Sequence, residues 1–318
     1  MRVGVVGTGW MAKRAVQEIS VIPGNEVQVV AVASRTVERA KAFAIENGLD
    51  GTVGIYDRYD GMSSNDNVDL VYIATTNESH YTLAKHYIRA GKPVLCEKPM
   101  TLTHDECVEL CRFAFERGVF LAEAMWIRFV PMLNELAEYL KTGAIGEVRS
   151  CTASLSYNIA DKERIRDPKL GGGTLYDLGV YCLAFNSMFM GPISGVSTSM
   201  VDTLDTGVES TVHAVLRHQD QKTSVMMTSV DRSDPRYGII HGTDGYVVVD
   251  SVGYPMKAMV YGADHRMKKV FTAGNNHPYT YEFLAVADAL ARKKLQLDQF
   301  THVDSCQSAK IIDVLSVR

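Results

Sequence analysis

Over the first 122 residues, short apolar runs rich in β-branched residues alternate with stretches of helical period. The runs lie at 3–6, 27–33, 70–74, 94–96 and 119–122. Between them, Leu83, Ala84, Tyr87 and Ile88 form one apolar stripe, and Cys107, Leu110, Cys111 and Ala114 form another. Recurrence at i, i+3 and i+4 predicts amphipathic helices, and short unbroken runs predict buried strands. Strands that alternate with helices predict a parallel sheet covered on both faces. Thr103 or Thr101 is placed to cap the helix after Pro99, Thr103 and Glu106 have capping-box spacing, and Gly118 is placed to end the helix. Residues 57–69 are the least regular part, because Gly61 and a cluster of Ser and Asn interrupt any helix there.

The pattern changes after about residue 122. Residues 131–141 carry Leu133, Leu136, Ala137 and Leu140 on one helical face, and 148–157 alternate as a strand. A glycine-rich helix start follows at Gly171. Strand-like runs then succeed one another at 195–201, 210–217, 223–230, 237–242, 246–250, 256–261 and 267–271. Runs without intervening helices predict a mostly antiparallel sheet. Residues 280–293 and 303–317 read as helices. The expected architecture is α/β: a doubly wound Rossmann domain over 1–122, then an α+β domain over 123–318 with a large, open, mostly antiparallel sheet.

Composition narrows the class. The chain has 318 residues, 46% of them hydrophobic, and a formal net charge of −4. Its basic residues are dispersed, so no nucleic-acid footprint is expected. No apolar run approaches the ~20 residues of a membrane-spanning helix. A strand-like run begins at Val3, leaving no space for a signal peptide. The six cysteines are scattered without a CxxC pair, which points to reduced thiols and a cytoplasmic address. Cys107 and Cys111 read as core residues, and no cluster of His, Cys and Asp has metal-ligand spacing.

The first candidate chemistry is Gly7, Thr8, Gly9, Trp10, Met11 and Ala12, a GxGxxG/A pattern directly after the first strand. In such a turn the first glycine permits the tight bend and the second lets a pyrophosphate approach the backbone. The third small residue allows close helix–strand packing, and the helix N-terminus offers free N–H groups. At the end of the second strand stand Ser34 and Arg35, where a carboxylate would bind the ribose hydroxyls of NAD. A small residue followed by a guanidinium suits a 2′-phosphate instead. NADP(H) is therefore the expected cofactor, with Arg39 a weaker helper and NAD(H) possible.

Two further stretches carry a resemblance. Thr75, Thr76, Asn77 and His80 lead through a helix to Ala90, Gly91, Lys92, Val94, Glu97, Lys98 and Pro99. This is similar to the T-P-N-x-x-H and A-G-K-x-V-x-x-E-K-P stretches of the glucose–fructose oxidoreductase/inositol dehydrogenase (Gfo/Idh/MocA) family, with Thr76 replacing the usual proline. The resemblance covers residues 1 to about 126. It extends to about 190 through Glu123, Ala124, Trp126, Arg128 and Phe129, and through Gly171, Gly172, Asp177, Gly179 and Tyr181. Those last stretches most resemble the branch of dimeric dihydrodiol dehydrogenases and NADP-dependent D-xylose dehydrogenases.

The resemblance implies a pyridine-nucleotide oxidoreductase. It makes Lys98 a contact of substrate and nicotinamide, and Glu97 a support of the nicotinamide ribose. Thr75, Asn77 and His80 become cofactor-side contacts, although His80 reads equally well as a plain helix-start residue. A lysine past a strand end can polarise a carbonyl, and Pro99 favours extended backbone at Lys98. In the reducing direction Tyr181 would donate the proton, with Lys98 assisting and Asp177 orienting the pair; the first two roles are interchangeable at this level. Asp177 and Tyr181 are four apart and so would share a helix face. Trp126 is expected at the substrate pocket. Arg128 stands either there or in a structural ion pair, and Arg164 and Arg166 either in a solvated loop or against a polar substrate. The implied partners are a small carbohydrate-like molecule and further copies of the chain, in a homodimer or higher homo-oligomer docked through the C-terminal sheet. An NAD-dependent glycosidase and a non-catalytic NADP sensor of the same fold are the alternatives.

Overall fold

The computed structural model describes residues 1–49, 51–274 and 277–317. Its first sheet contains β1 (Arg2–Val6), β2 (Gln28–Ala33), β3 (Gly54–Tyr56), β4 (Leu70–Ile73), β5 (Val94–Glu97) and β6 (Leu121–Ala124). All pairings are parallel, in the order β3-β2-β1-β4-β5-β6. Helices α1 (Trp10–Ser20), α2 (Val37–Glu46), α3 (Asn77–Arg89) and α4 (His104–Arg117) alternate with these strands. Val3, Val5, Leu70, Val71, Ile73, Val94 and Leu95 are wholly buried, as central strands covered on both faces require. The Thr103 hydroxyl caps α4 by accepting from the Glu106 N–H at 3.2 Å, and Gly118 closes the helix in left-handed conformation. Strand β3 has no counterpart in the hydrophobic pattern, because only Ile55 is aliphatic in its three residues. Among the described residues, 57–69 contain turns and no helix.

The second sheet is built after α5 (Pro131–Lys141). It contains β7 (Val148–Ser156), then β8 (Ile193–Thr203), β9 (Glu209–His218), β10 (Thr223–Ser229), β11 (Gly238–Gly242), β12 (Gly245–Val249), β13 (Lys257–Gly262) and β14 (Met267–Thr272). The order is β14-β13-β12-β11-β7-β10-β9-β8, antiparallel except for the parallel pair β7–β10. The single turn α6 (Glu163–Arg166) and the helix α7 (Val180–Met190) separate β7 from β8. Helix α7 lies against β7 and β10, burying Cys182, Leu183, Ala184 and Phe185 completely. The expected helix start at Gly171 is replaced by a 3₁₀ turn (Pro168–Leu170) and a π-type turn (Leu175–Gly179) ahead of α7.

Helices α8 (Thr280–Ala291) and α9 (His302–Leu315) complete the chain. The molecule divides into two compact units, Met1–Ala124 with His277–Ser305 and Met125–Asn276 with Cys306–Arg318. The sequence reading places all residues after 122 in the second domain, whereas α8 belongs with the Rossmann unit. Its apolar stripe predicts a helix but does not say which core receives it. The anchors are polar and distant in sequence. The buried Glu18 carboxylate on α1 accepts from the Thr280 backbone N–H at 3.2 Å and from its hydroxyl at 3.1 Å. Leu121 of the edge strand β6 donates its N–H to the Leu295 carbonyl at 3.0 Å, and His302 Nε2 contacts the Leu121 carbonyl at 2.9 Å. Among the described residues, no helix is long and apolar enough to cross a membrane, and all six cysteines are free thiols.

Candidate active site

The order of the first sheet reverses direction between β1 and β4, where open α/β sheets bind ligands beyond the strand ends. The loops after these two strands meet there. Gly7 has φ +108°, and a Cβ on it would lie 2.4 Å from the Ala74 carbonyl oxygen. Only glycine fits that conformation and that approach. Gly9 is the N-cap of α1, and a Cβ there would meet nothing within 4 Å. The turn is thus closed against the protein at Gly7 and open to a ligand at Gly9, above a helix N-terminus suited to phosphate. Ala12 is fully buried under the helix, whereas Trp10 is 71% exposed at its start and Met11 and Thr8 are half-buried.

Ser34 is buried, its hydroxyl 3.3 Å from that of Thr8, and its N–H donates to the Tyr56 carbonyl at 3.1 Å. Strand β3 therefore supports the C-terminal end of β2. Arg35 and Arg39 are exposed. Arg35 borders a cleft of about 390 Å³ with Arg58, Tyr59, Thr82 and Leu83. Arg58 forks onto Asp60 at 2.9 and 2.7 Å, while Arg35 has no ion pair among the described residues. Arg35 is accordingly the cation of this cleft available to a ligand anion.

The Lys98 loop is held by buried polar residues on three sides. Glu97 ends β5, where its Oε1 accepts from the Tyr72 hydroxyl at 2.6 Å and its Oε2 from the Lys98 N–H at 3.2 Å. Next to it, Glu123 on β6 accepts from the Met100 N–H at 3.0 Å. His80 Nδ1 lies 2.8 Å from the Pro99 carbonyl, and its Nε2 lies 3.3 Å from the Thr75 carbonyl. Burial pushes the imidazole toward its neutral form. A neutral ring has one N–H, and the shorter contact assigns it to Nδ1. The Lys98-Pro99 peptide is cis, and Lys98 itself is half-buried. His80 thus faces backbone carbonyls with both nitrogens and ties the loop after β4 to the loop after β5. Thr75 lies in that first loop, its hydroxyl 2.6 Å from Ser79 Oγ, and Asn77 opens α3. Tyr72 escapes sequence reasoning, and Glu123 enters it only as part of a motif with no role, since nothing in a strand pattern marks which buried polar residues hold which loop.

Burial raises the Glu97 carboxyl from an ordinary value near 4.5 to about 7, against the opposing Tyr72 hydrogen bond and the Lys98 charge. The same burial, with Glu97 beside it, drives the Tyr72 phenol well above its usual range. A carboxyl whose pKa is raised on folding adds stability below its unfolded value and loses it as pH climbs through the folded one. Glu97→Gln is therefore expected to gain on the unsubstituted protein between pH 5 and 8, by roughly 1–3 kcal/mol at 1.36 kcal/mol per pKa unit. Thermal melts across that range check it. A Tm difference independent of pH would contradict the assignment.

In the second unit, Asp177 lies in the π-type turn and Tyr181 in the first turn of α7. The four-residue spacing therefore does not run along one regular helix face, because a π turn is wider than an α turn. The Asp177 side chain is 15% exposed and receives a fork from Arg164, Nη1 to Oδ1 at 2.8 Å and Nη2 to Oδ2 at 3.2 Å. Arg166 pairs with Asp205, so neither arginine stands as a merely solvated loop residue. Tyr181 is half-buried. Trp126 is 2% exposed and tilts against Tyr254 at 5.7 Å between ring centroids. Arg128 donates to the Ala184 carbonyl at 3.2 Å and to Ser187 Oγ at 3.1 Å, bracing α7.

A phosphate-binding turn at the switch point, with a lysine held past the end of β5, defines a nicotinamide-nucleotide oxidoreductase. Residues 1–125 match the oxidoreductase family with NAD-binding Rossmann fold, and residues 133–248 match the GFO/IDH/MocA C-terminal domain. The chain belongs to the Gfo/Idh/MocA family. It is 34% identical over 263 residues to a trans-1,2-dihydrobenzene-1,2-diol dehydrogenase of Mus musculus, covering 82% of this chain and 78% of that one. The Sus scrofa enzyme of the same name is 30% identical over 321 residues, covering 98% and 95%. Among solved structures, a 3-ketoreductase from Actinomadura kijaniata in complex with NADP and TDP-benzene superposes with a TM-score of 0.87. It is 26% identical, over 99% of this chain and 96% of that one.

Proposed function

We propose that this oxidoreductase moves hydride between NADP(H) and a secondary alcohol or carbonyl carbon of a sugar, polyol or related diol. The observation that carries the reading is the Lys98 loop, fixed by Tyr72 through Glu97, by His80 and by Glu123 beside the Gly7 turn. A bound nicotinamide nucleotide supplies the hydride. The protein binds, orients and handles the proton. Gly7, Thr8, Gly9 and the start of α1 receive the pyrophosphate, and Ser34 with Arg35 receives the 2′-phosphate. Thr75, Asn77 and Glu97 line the nicotinamide side. Lys98 directs its ammonium at the substrate oxygen, so negative charge forming there is stabilised. Tyr181 donates the proton, and Asp177 orients it. Arg128, by bracing α7, sets where Tyr181 stands.

The relatives' names support a diol, ketone or sugar as substrate. The free thiols support a cytoplasmic address. The exposed face of β8, which includes Met200 at 59% exposure, supports assembly of two copies through the second sheet. A panel of sugars, diols and their ketones, followed at the nicotinamide absorbance, tests the reading. Turnover with NADPH or NADP⁺ on a panel member is expected. Tyr181→Phe should lower kcat on that substrate by about 100-fold or more, with unchanged NADPH affinity. Wild-type kcat in that variant would remove Tyr181 from proton transfer.

A further inference from the structure

The run at 171–173 reads in sequence as a glycine-rich helix start, but Gly172 and Gly173 face protein. A Cβ on Gly172 would lie 2.4 Å from the Ile165 carbonyl oxygen of α6. A Cβ on Gly173, at φ +103°, would lie 2.6 Å from Glu209 Oε2. Backbone bonds stitch the two segments together: Gly173 N–H donates to the Ile165 carbonyl at 2.9 Å and Gly172 N–H to the Asp167 carbonyl at 3.1 Å. The buried Glu209 packs beside Gly173 and is itself held by the C-terminal residues, its other oxygen accepting from Ser316 Oγ at 2.7 Å and from the Val317 N–H at 2.9 Å. The short turn α6 is thereby pinned to the chain that leads into the π turn. The Arg164 guanidinium then meets the Asp177 carboxylate edge to edge, thirteen residues away in sequence.

We propose that Arg164 is a positioning residue for Asp177, and that the glycine run is the device that aims it. The inference rests on the oxidoreductase reading, in which Asp177 orients Tyr181. A two-point fork fixes the plane of a carboxylate as well as its place, which a single ammonium does not. Asp177 sits on the wide turn Leu175–Gly179, where the regular α-helical ladder is interrupted. The fork therefore fixes the carboxylate at a place where the α-helical side-chain spacing does not. The sequence feature to read is therefore an arginine before a glycine run and an aspartate after it, brought together by close backbone packing.

The test uses the full chain and the panel substrate it turns over. Arg164→Ala is expected to lower kcat/KM by about 10- to 100-fold, the range for losing a charge-assisted two-point contact. Arg164→Lys should fall between, because it keeps charge without the fork. NADPH affinity should stay within about twofold, as the Rossmann unit carries those contacts. Guanidinium ion at a sub-denaturing concentration should restore activity to Arg164→Ala several-fold and leave the unsubstituted enzyme unchanged. A fall in melting temperature that accounts for the activity loss would mark a merely structural arginine and overturn the proposal. Undiminished kcat/KM in Arg164→Ala, or a loss that guanidinium does not relieve, overturns the proposal. Inactivity of the unsubstituted chain on every panel member instead overturns the oxidoreductase reading, and this inference with it.

Discussion

Replacing Lys98 with methionine is expected to lower kcat by about 10²- to 10⁴-fold, the range attributed to a positioned acid, base or charge at the reacting group. NADPH should still bind with nearly unchanged affinity. Methionine keeps an unbranched side chain of similar reach, so packing in the half-buried loop survives while the ammonium is lost. The contacts from Glu97, His80 and Glu123 reach the loop through its backbone, at the Lys98 N–H, the Pro99 carbonyl and the Met100 N–H. The loss should therefore appear in turnover and in the pH profile rather than in melting temperature. Steady-state kinetics beside a nucleotide titration separates the two. Wild-type turnover in the variant would take Lys98 out of the reaction.

Arg35→Ala should weaken NADPH binding by about 10- to 100-fold and NADH binding by no more than about twofold. A charge-assisted contact to a 2′-phosphate is worth about 1.5–3 kcal/mol, and each 1.4 kcal/mol is tenfold in affinity. The asymmetry follows from the local bookkeeping of charge. Of the two arginines at the cleft, Arg58 is committed to Asp60, while Arg35 remains available. Ser34 contributes by its small size and its burial beside Thr8, leaving room for phosphate where a longer carboxylate side chain would repel it. Asp60 itself is held below the usual carboxylate range by the Arg58 hydrogen bond, so it stays ionised and keeps Arg58 engaged. Equal losses for both nucleotides would refute the 2′-phosphate assignment.

Much of this was legible in the residues because it is local. The turn from Gly7 to Ala12, the Thr103 cap, the Gly118 stop and helix α5 all depend on neighbours within a few positions. The succession of strands after residue 190 forecasts an antiparallel sheet, although nothing local shows that β7 and β10 run parallel within it. The features that were hidden depend on partners far apart. Strand β3 exists because β2 supplies its pairing, not because Gly54, Ile55 and Tyr56 demand it. Helix α8 joins the Rossmann unit through a glutamate 262 residues away. For the proposed site, the motifs point to Lys98, Asp177 and Tyr181, but the residues that contact them in the fold were not apparent. Tyr72 and Glu123 are single polar positions inside otherwise apolar strands. Arg164 reaches Asp177 across an irregular segment with no period to read.

Pyridine-nucleotide binding underlies every role proposed for these residues. The most direct measurement is a titration of the purified chain with NADPH and with NADH, followed by the fluorescence of the reduced nicotinamide. Saturable binding of both, with NADPH the tighter, is the predicted result. Failure to bind either nucleotide would contradict the assignment of the Gly7 turn, Arg35 and the Lys98 loop to a common cofactor site.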